Sequence, residues 1–182
     1  MTKKRLSLLT LCAVIMFSFV VVAPANAESE DLWAKKAFVD DFGDPTDKKY
    51  IECKINDGTF SNSATNNSPL IARVVATLNY FGQPEFQIFL HEYANKSPSY
   101  ILKDTWIIQI KDTSNKQMRL YGKSQGDRIT MLGKDAEKLN EVLVNGGKVR
   151  FVVEPMTWHS KYSFTIKNAS GYGKEFDAWL KK

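Results

Sequence analysis

From Lys49 onward the side chains alternate in character with a period of two. Tyr50–Asn56 sets Ile51, Cys53 and Ile55 against Tyr50, Glu52 and Lys54, as a strand with one buried face requires. The same alternation runs through Leu70–Tyr80, Glu85–Tyr93, Thr105–Lys111 and Lys116–Lys123, and returns in Arg128–Leu132, Lys148–Glu154 and Tyr162–Lys167. Tyr100–Leu102 reads as a further short strand. Trp106, Ile108 and Ile110 share one face, as do Val149, Phe151 and Val153, and Tyr162, Phe164 and Ile166. Short runs of Val, Ile, Tyr, Phe and Thr parted by Gly, Asn, Asp and Ser predict a mainly β fold: an antiparallel β-sandwich or a partly open barrel. The unbroken run Ile88-Phe89-Leu90 predicts a strand covered on both faces.

Two segments change period. Leu139, Val142 and Leu143, with Ala136, form a helical stripe behind Asp135, a plausible N-cap, and Asn145-Gly146-Gly147 is a left-handed stop. This predicts one inserted helix. After Gly171-Tyr172-Gly173, the spacing of Phe176, Trp179 and Leu180 predicts a short C-terminal helix docked on the sheet.

The first 27 residues follow neither pattern. Lys3-Lys4-Arg5, an apolar run from Leu6 to Val22, and Ala25-Asn26-Ala27 have the form of a secretory signal peptide, with cleavage after Ala27. Beyond it no run of 18 apolar residues predicts a membrane span. The expectation is an exported chain, periplasmic or secreted. Leu11 stands before Cys12 where lipid attachment needs a small residue, so Cys53 is the one cysteine of the processed chain and no internal disulfide is expected.

Removing that segment also removes most of the basic character. The whole chain carries 25 Lys and Arg against 20 Asp and Glu; the first 27 residues hold three of the cations and no acid, leaving a net +2. Residues 28–47 are acidic at net −5, and residues 28–49 read as an acidic lead-in to a single β-rich domain, 50–182. The remaining Lys and Arg are dispersed, without the basic stripe of a nucleic-acid binder.

Residues 136–180 combine a helix, Leu143-x-x-Gly146-Gly147, a strand over Lys148–Val153, a strand over Tyr162–Ile166, and Ala169-Ser170-Gly171-Tyr172 leading into an amphipathic end. This order resembles the closing portion of small exported bacterial β-sandwich proteins of the invasion-associated locus B type and of type VI secretion accessory proteins. The resemblance implies a noncatalytic exported β-sandwich and carries no active-site residue. Those families usually have paired cysteines, which this processed chain lacks.

Candidate chemistry is sparse. Asp40, Asp41, Asp44 and Asp47 lie within eight residues around Gly43 and Pro45. They are candidate Ca²⁺ ligands, since that ion takes six to eight oxygens, or else the polar residues of a solvated turn. The polar stretch Gly58–Pro69 reads as a long connection in which Phe60, Asn62, Thr65 and Asn66 are candidate ligand contacts, or else polar groups that bond their own backbone as turns, with Phe60 either plugging the core or forming a contact patch. Trp158 and His159 form a second candidate contact pair in a loop, and Trp158, Tyr172, Tyr93 and Tyr80 are candidate exposed aromatics for a protein or glycan. His91 and His159 fit no metal-binding spacing. Gly122-Lys123-Ser124 lacks the glycine at position 117 that a phosphate loop needs, and no G-x-S-x-G elbow is present. The sequence therefore points to a noncatalytic protein that binds another envelope or extracellular component, a protein or a glycan. The alternative is a small periplasmic hydrolase with a carboxylate pair or a Cys53–His site.

Overall fold

A computed structural model describes residues 33–93, 97–98 and 104–180. The export segment expected at 1–27, the first residues of the acidic stretch and the strand expected at Tyr100–Leu102 lie outside the described residues. The elements are β1 (Trp33–Val39), β2 (Pro45–Ser61), β3 (Ser68–Leu78), β4 (Pro84–His91), β5 (Thr105–Lys111), β6 (Gln117–Gln125), β7 (Arg128–Met131), α1 (Gly133–Val144), β8 (Val149–Pro155), β9 (Lys161–Ile166) and α2 (Ser170–Leu180).

The strands form one antiparallel sheet in the order β1-β2-β3-β4-β7-β6-β5-β8-β9, and β2 also pairs with β9. That last pairing closes β2 through β9 into an eight-stranded barrel with β1 attached outside the ring. The fold is mainly β and antiparallel, as the alternation predicts, but a barrel replaces the sandwich. The physical reason lies in β2. Its register slips between Ile55 and Gly58, and the same strand pairs with β1 over Pro45–Cys53 and with β9 over Thr59–Ser61. A bulge of this kind bends a strand and increases its twist, which lets one long strand change edge partner and close the ring. Gly58 sits at the bend, where an added Cβ would lie 3.1 Å from the Leu70 carbonyl oxygen and 3.2 Å from Phe164 Cβ.

Two sequence expectations change accordingly. The polar connection shortens to residues 62–67, because Gly58–Ser61 belong to β2 and Ser68-Pro69 to β3. The described part of the acidic lead-in, residues 33–49, joins the domain expected to begin at Tyr50 and forms the β1–β2 hairpin of the same sheet.

An eight-stranded barrel has an interior just wide enough for side chains to fill, and this one is packed. Trp106, Tyr162, Phe60, Phe86 and Phe151 are fully buried. Phe151 stacks on Phe164 at 4.7 Å, and Trp106 lies 5.9 Å from Tyr162. The inward set Phe86, Ile88 and Leu90 follows the alternation. Phe89, on the outer face of β4, is also buried, covered by the Arg73 and Arg128 guanidinium groups at 4.3 and 4.8 Å from its ring centroid. The double coverage expected of this run therefore comes from charged side chains lying over an aromatic face.

One end of the barrel is held by the helices. α1 buries Ala136, Leu139, Val142 and Leu143. It starts two residues before Asp135, from an extended Leu132 with no side-chain cap; the Asp135 carboxylate instead accepts a hydrogen bond from the Tyr121 backbone N–H at 3.3 Å. α2 packs Tyr172 against Trp33 at 5.0 Å and Phe86 at 6.0 Å. Among the described residues no helix is long and apolar enough to cross a membrane.

Candidate functional site

Strand register sorts the loops into two ends. Ser61 opposite Lys161, Ile71 opposite His91, Gln125 opposite Arg128 and Trp106 opposite Pro155 bring four strand ends and four strand starts together, away from the helices. The polar loop 62–67 and the loop 156–160 both lie at this end.

Each loop is fixed by its own hydrogen bonds. Asn62 Oδ1 accepts from the backbone N–H groups of Ala64 at 2.9 Å and Thr65 at 3.0 Å, while Asn62 N–H donates to the Thr65 carbonyl at 2.9 Å. An Asn that satisfies its own turn in this way keeps its side-chain NH₂ for other partners. The second loop is clamped by Asp104, a buried carboxylate. Asp104 Oδ1 accepts from Thr105 N–H at 2.7 Å; Oδ2 accepts from Thr157 N–H at 3.2 Å and from the Thr157 hydroxyl. Met156 N–H donates to the Thr105 carbonyl at 2.9 Å. Ser124 Oγ completes the clamp, accepting from Asp104 N–H at 3.0 Å and Trp106 Nε1–H at 2.9 Å.

Between the two loops, on the outer face of β5 and β8, is an open depression of about 470 Å³. Asn62, Trp158 and His159, three of the residues singled out in the sequence, line it together with Ile107, Met156, Glu154 and Lys161. Trp158 is 60% exposed and Met156 59%. Ile107 and Glu154 face each other across the β5–β8 ladder, so an apolar floor and a carboxylate meet there by register. The site thus offers an aromatic surface, two further apolar side chains, an amide, an imidazole and one charge of each sign.

The other sequence candidates lie elsewhere. Phe60 is a correction: it is buried, 5.0 Å from Tyr93 and 6.1 Å from Tyr162, and fills the core because it points inward from β2. Thr65 and Asn66 sit in the 62–67 loop, Thr65 bonded to Ser68 and Asn66 accepting from Ser61 Oγ at 3.0 Å; neither lines the depression. Tyr172 is a second correction. It is fully buried, its hydroxyl donates to Asn140 Oδ1 at 2.5 Å, and burial pushes its pKa well up. Tyr80 and Tyr93 are exposed. In the acidic cluster, Asp40 Oδ1 accepts from the N–H groups of Phe42 and Asp44, both at 2.9 Å, and so closes the β1–β2 turn. Asp44 and Asp47 flank the start of β2 and are exposed with Asp41. Among the described residues no group of three or more His, Cys, Asp and Glu side chains is placed to hold a metal ion. Cys53 is buried in the barrel core. His91 lies on the outer face of β4, opposite Ile71, so a wall of the barrel separates it from the thiol.

Sequence reasoning missed Asp104, Glu154, Lys161 and Ile107. Only Ile107 left a signal: it is the apolar residue on the otherwise polar face of Thr105–Lys111. Comparison with protein-family models, curated proteins and solved structures finds nothing that matches this chain.

Proposed function

We propose that this protein is an exported, noncatalytic binding module that recognises another envelope or extracellular component through the depression around Trp158. The observation that carries the reading is the pairing of a largely exposed indole with a loop held rigid by the buried Asp104 clamp. A rigid aromatic with fixed polar neighbours is economical for recognition, because little side-chain entropy is lost on contact. The packed interior supports an external site. The hydrolase alternative gains no such support. A carboxylate pair needs two acids flanking the substrate, and Glu154 is the one acid in this depression; a Cys53–His pair would have to react through the barrel wall.

The test is cosedimentation of the processed protein with its own envelope fraction. Trp158→Ala is expected to release it, while Lys138→Ala, on the exposed face of α1, is expected to leave it bound. Equal retention of both variants would refute the assignment.

A further inference from the structure

The face that carries the Trp158 depression continues along β5, and its other end is basic. Lys111, Arg119 and Arg150 line a second depression of about 460 Å³ on the outer side of β5, β6 and β8. Lys111 stands directly opposite Arg150 across the β5–β8 ladder. Arg119 projects from β6 on the same face, opposite Gln109. Like charges facing each other across a ladder are destabilising. None of the three makes an ion pair among the described residues. The nearby Asp112 carboxylate is occupied, accepting from Ser114 Oγ at 2.7 Å and Lys116 N–H at 2.9 Å. Three uncompensated cations on a rigid sheet fit an anionic group.

The two depressions share one surface. Ile107 and Lys111 are four residues apart on the same face of β5, about 13 Å at about 3.3 Å per residue. Gln109 lies between them and lines the second depression. At the Trp158 end Glu154 is matched by Lys161, so the unbalanced positive charge of this face lies at the far end. We infer that the ligand is an acidic glycan, its sugar rings against Trp158 and its acid groups on Lys111, Arg119 and Arg150. This inference rests on the binding reading above and names the class of ligand for the same face.

The experiment uses the processed chain and four probes: a galacturonate hexamer, a heparin-derived hexasaccharide, neutral cellohexaose and inorganic polyphosphate. Binding is followed by calorimetry, with the products of each incubation analysed afterwards. The acidic hexasaccharides are expected to bind at least about tenfold more tightly than cellohexaose, and whichever binds better tells carboxylate from sulfate as the preferred acid. Lys111→Gln with Arg150→Gln is expected to weaken that binding about tenfold or more and to raise the melting temperature slightly, since a like-charge pair is relieved. A purely structural role for these residues would lower it instead. Trp158→Ala is expected to weaken the acidic sugars with the melting temperature unchanged. The inference is overturned if cellohexaose binds as tightly as the acidic sugars, if polyphosphate binds equally well without dependence on Trp158, or if no probe binds. Loss of the inference alone leaves Trp158-dependent envelope retention intact. Cleavage of a bound hexasaccharide would instead overturn the noncatalytic reading and leave the glycan site standing.

Discussion

Replacing Glu52 by glutamine removes a charge that β1, β2 and β3 share. The Glu52 side chain is 7% exposed on the outer face of β2; it pairs with Lys36 of β1 and accepts from Arg73 Nη1 of β3 at 3.0 Å. A hydrogen bond to a charged group contributes about 1.5–3 kcal/mol. The Lys36 side chain is half exposed, so water screens its share toward the ~0–1 kcal/mol of a surface pair. Arg73 is also partly open to solvent and stands at the low end of its range. The expected loss is about 2 kcal/mol, read by denaturant unfolding, and roughly 4–8 °C in melting temperature for a domain of this size. The pH dependence gives the sign. Burial alone would push the Glu52 carboxyl up, but the hydrogen bond from Lys36 and the charge of Arg73 outweigh it and hold its pKa below the ordinary value. A carboxyl lowered in the folded state stabilises above its unfolded pKa and ceases to as pH falls through its folded pKa. The difference between wild type and variant is therefore full at neutral pH and closes below about pH 4. Hydrogen exchange should show the loosening first in β1, which pairs with β2 alone in the sheet. A difference that stays constant down to low pH, or one below about 0.5 kcal/mol at neutral pH, would refute the electrostatic account.

Three further outcomes follow from the geometry. Asp104→Ala removes the acceptor of Thr157 N–H and Thr105 N–H; about 1–3 kcal/mol should be lost, with faster exchange across 156–160, and unchanged exchange there would contradict the clamp. Gly122→Ala places a Cβ 2.5 Å from Ile129 Cγ2 inside the barrel; overpacking of about 1–3 kcal/mol is expected in thermal melts, and a neutral result would mean the wall yields. Cys53 is fully buried, so it should react with a thiol reagent only after unfolding, whereas fast labelling of native protein would restore the case for a reactive thiol.

How far the fold could be read from the sequence depended on how each strand is covered. Thr105–Lys111 was legible to the residue, because Trp106, Ile108 and Ile110 face a packed interior while the other face is mostly polar. β1 was not. In Trp33–Val39 only Trp33 is buried, so the stretch has no alternating apolar signal, and its acidic neighbours give it the composition of a lead-in rather than of a strand. Closure of the ring was also hidden. It depends on the slip between Ile55 and Gly58, and a bulge breaks the alternation by which a strand is recognised, so the end of β2 looked like a loop. The candidate site was legible in part, for a related reason. Trp158 and His159 stand out locally as an aromatic pair in a polar loop. Glu154 and Ile107, by contrast, meet only through antiparallel register. Lys111, Arg119 and Arg150 look dispersed along the chain and gather only because β5, β6 and β8 are neighbours. The α1 start was misplaced because Asp135, an apt cap by residue type, is held instead by the backbone of β6.

Hydrogen–deuterium exchange of the processed protein, with and without solubilised material from its own envelope, tests most directly whether the outer face of β5 and β8 is the recognition surface. The account predicts added protection in residues 62–67, Thr105–Lys111 and 149–161, with α1 and α2 unchanged. Protection confined to the helical end, or none anywhere in the barrel, would contradict it.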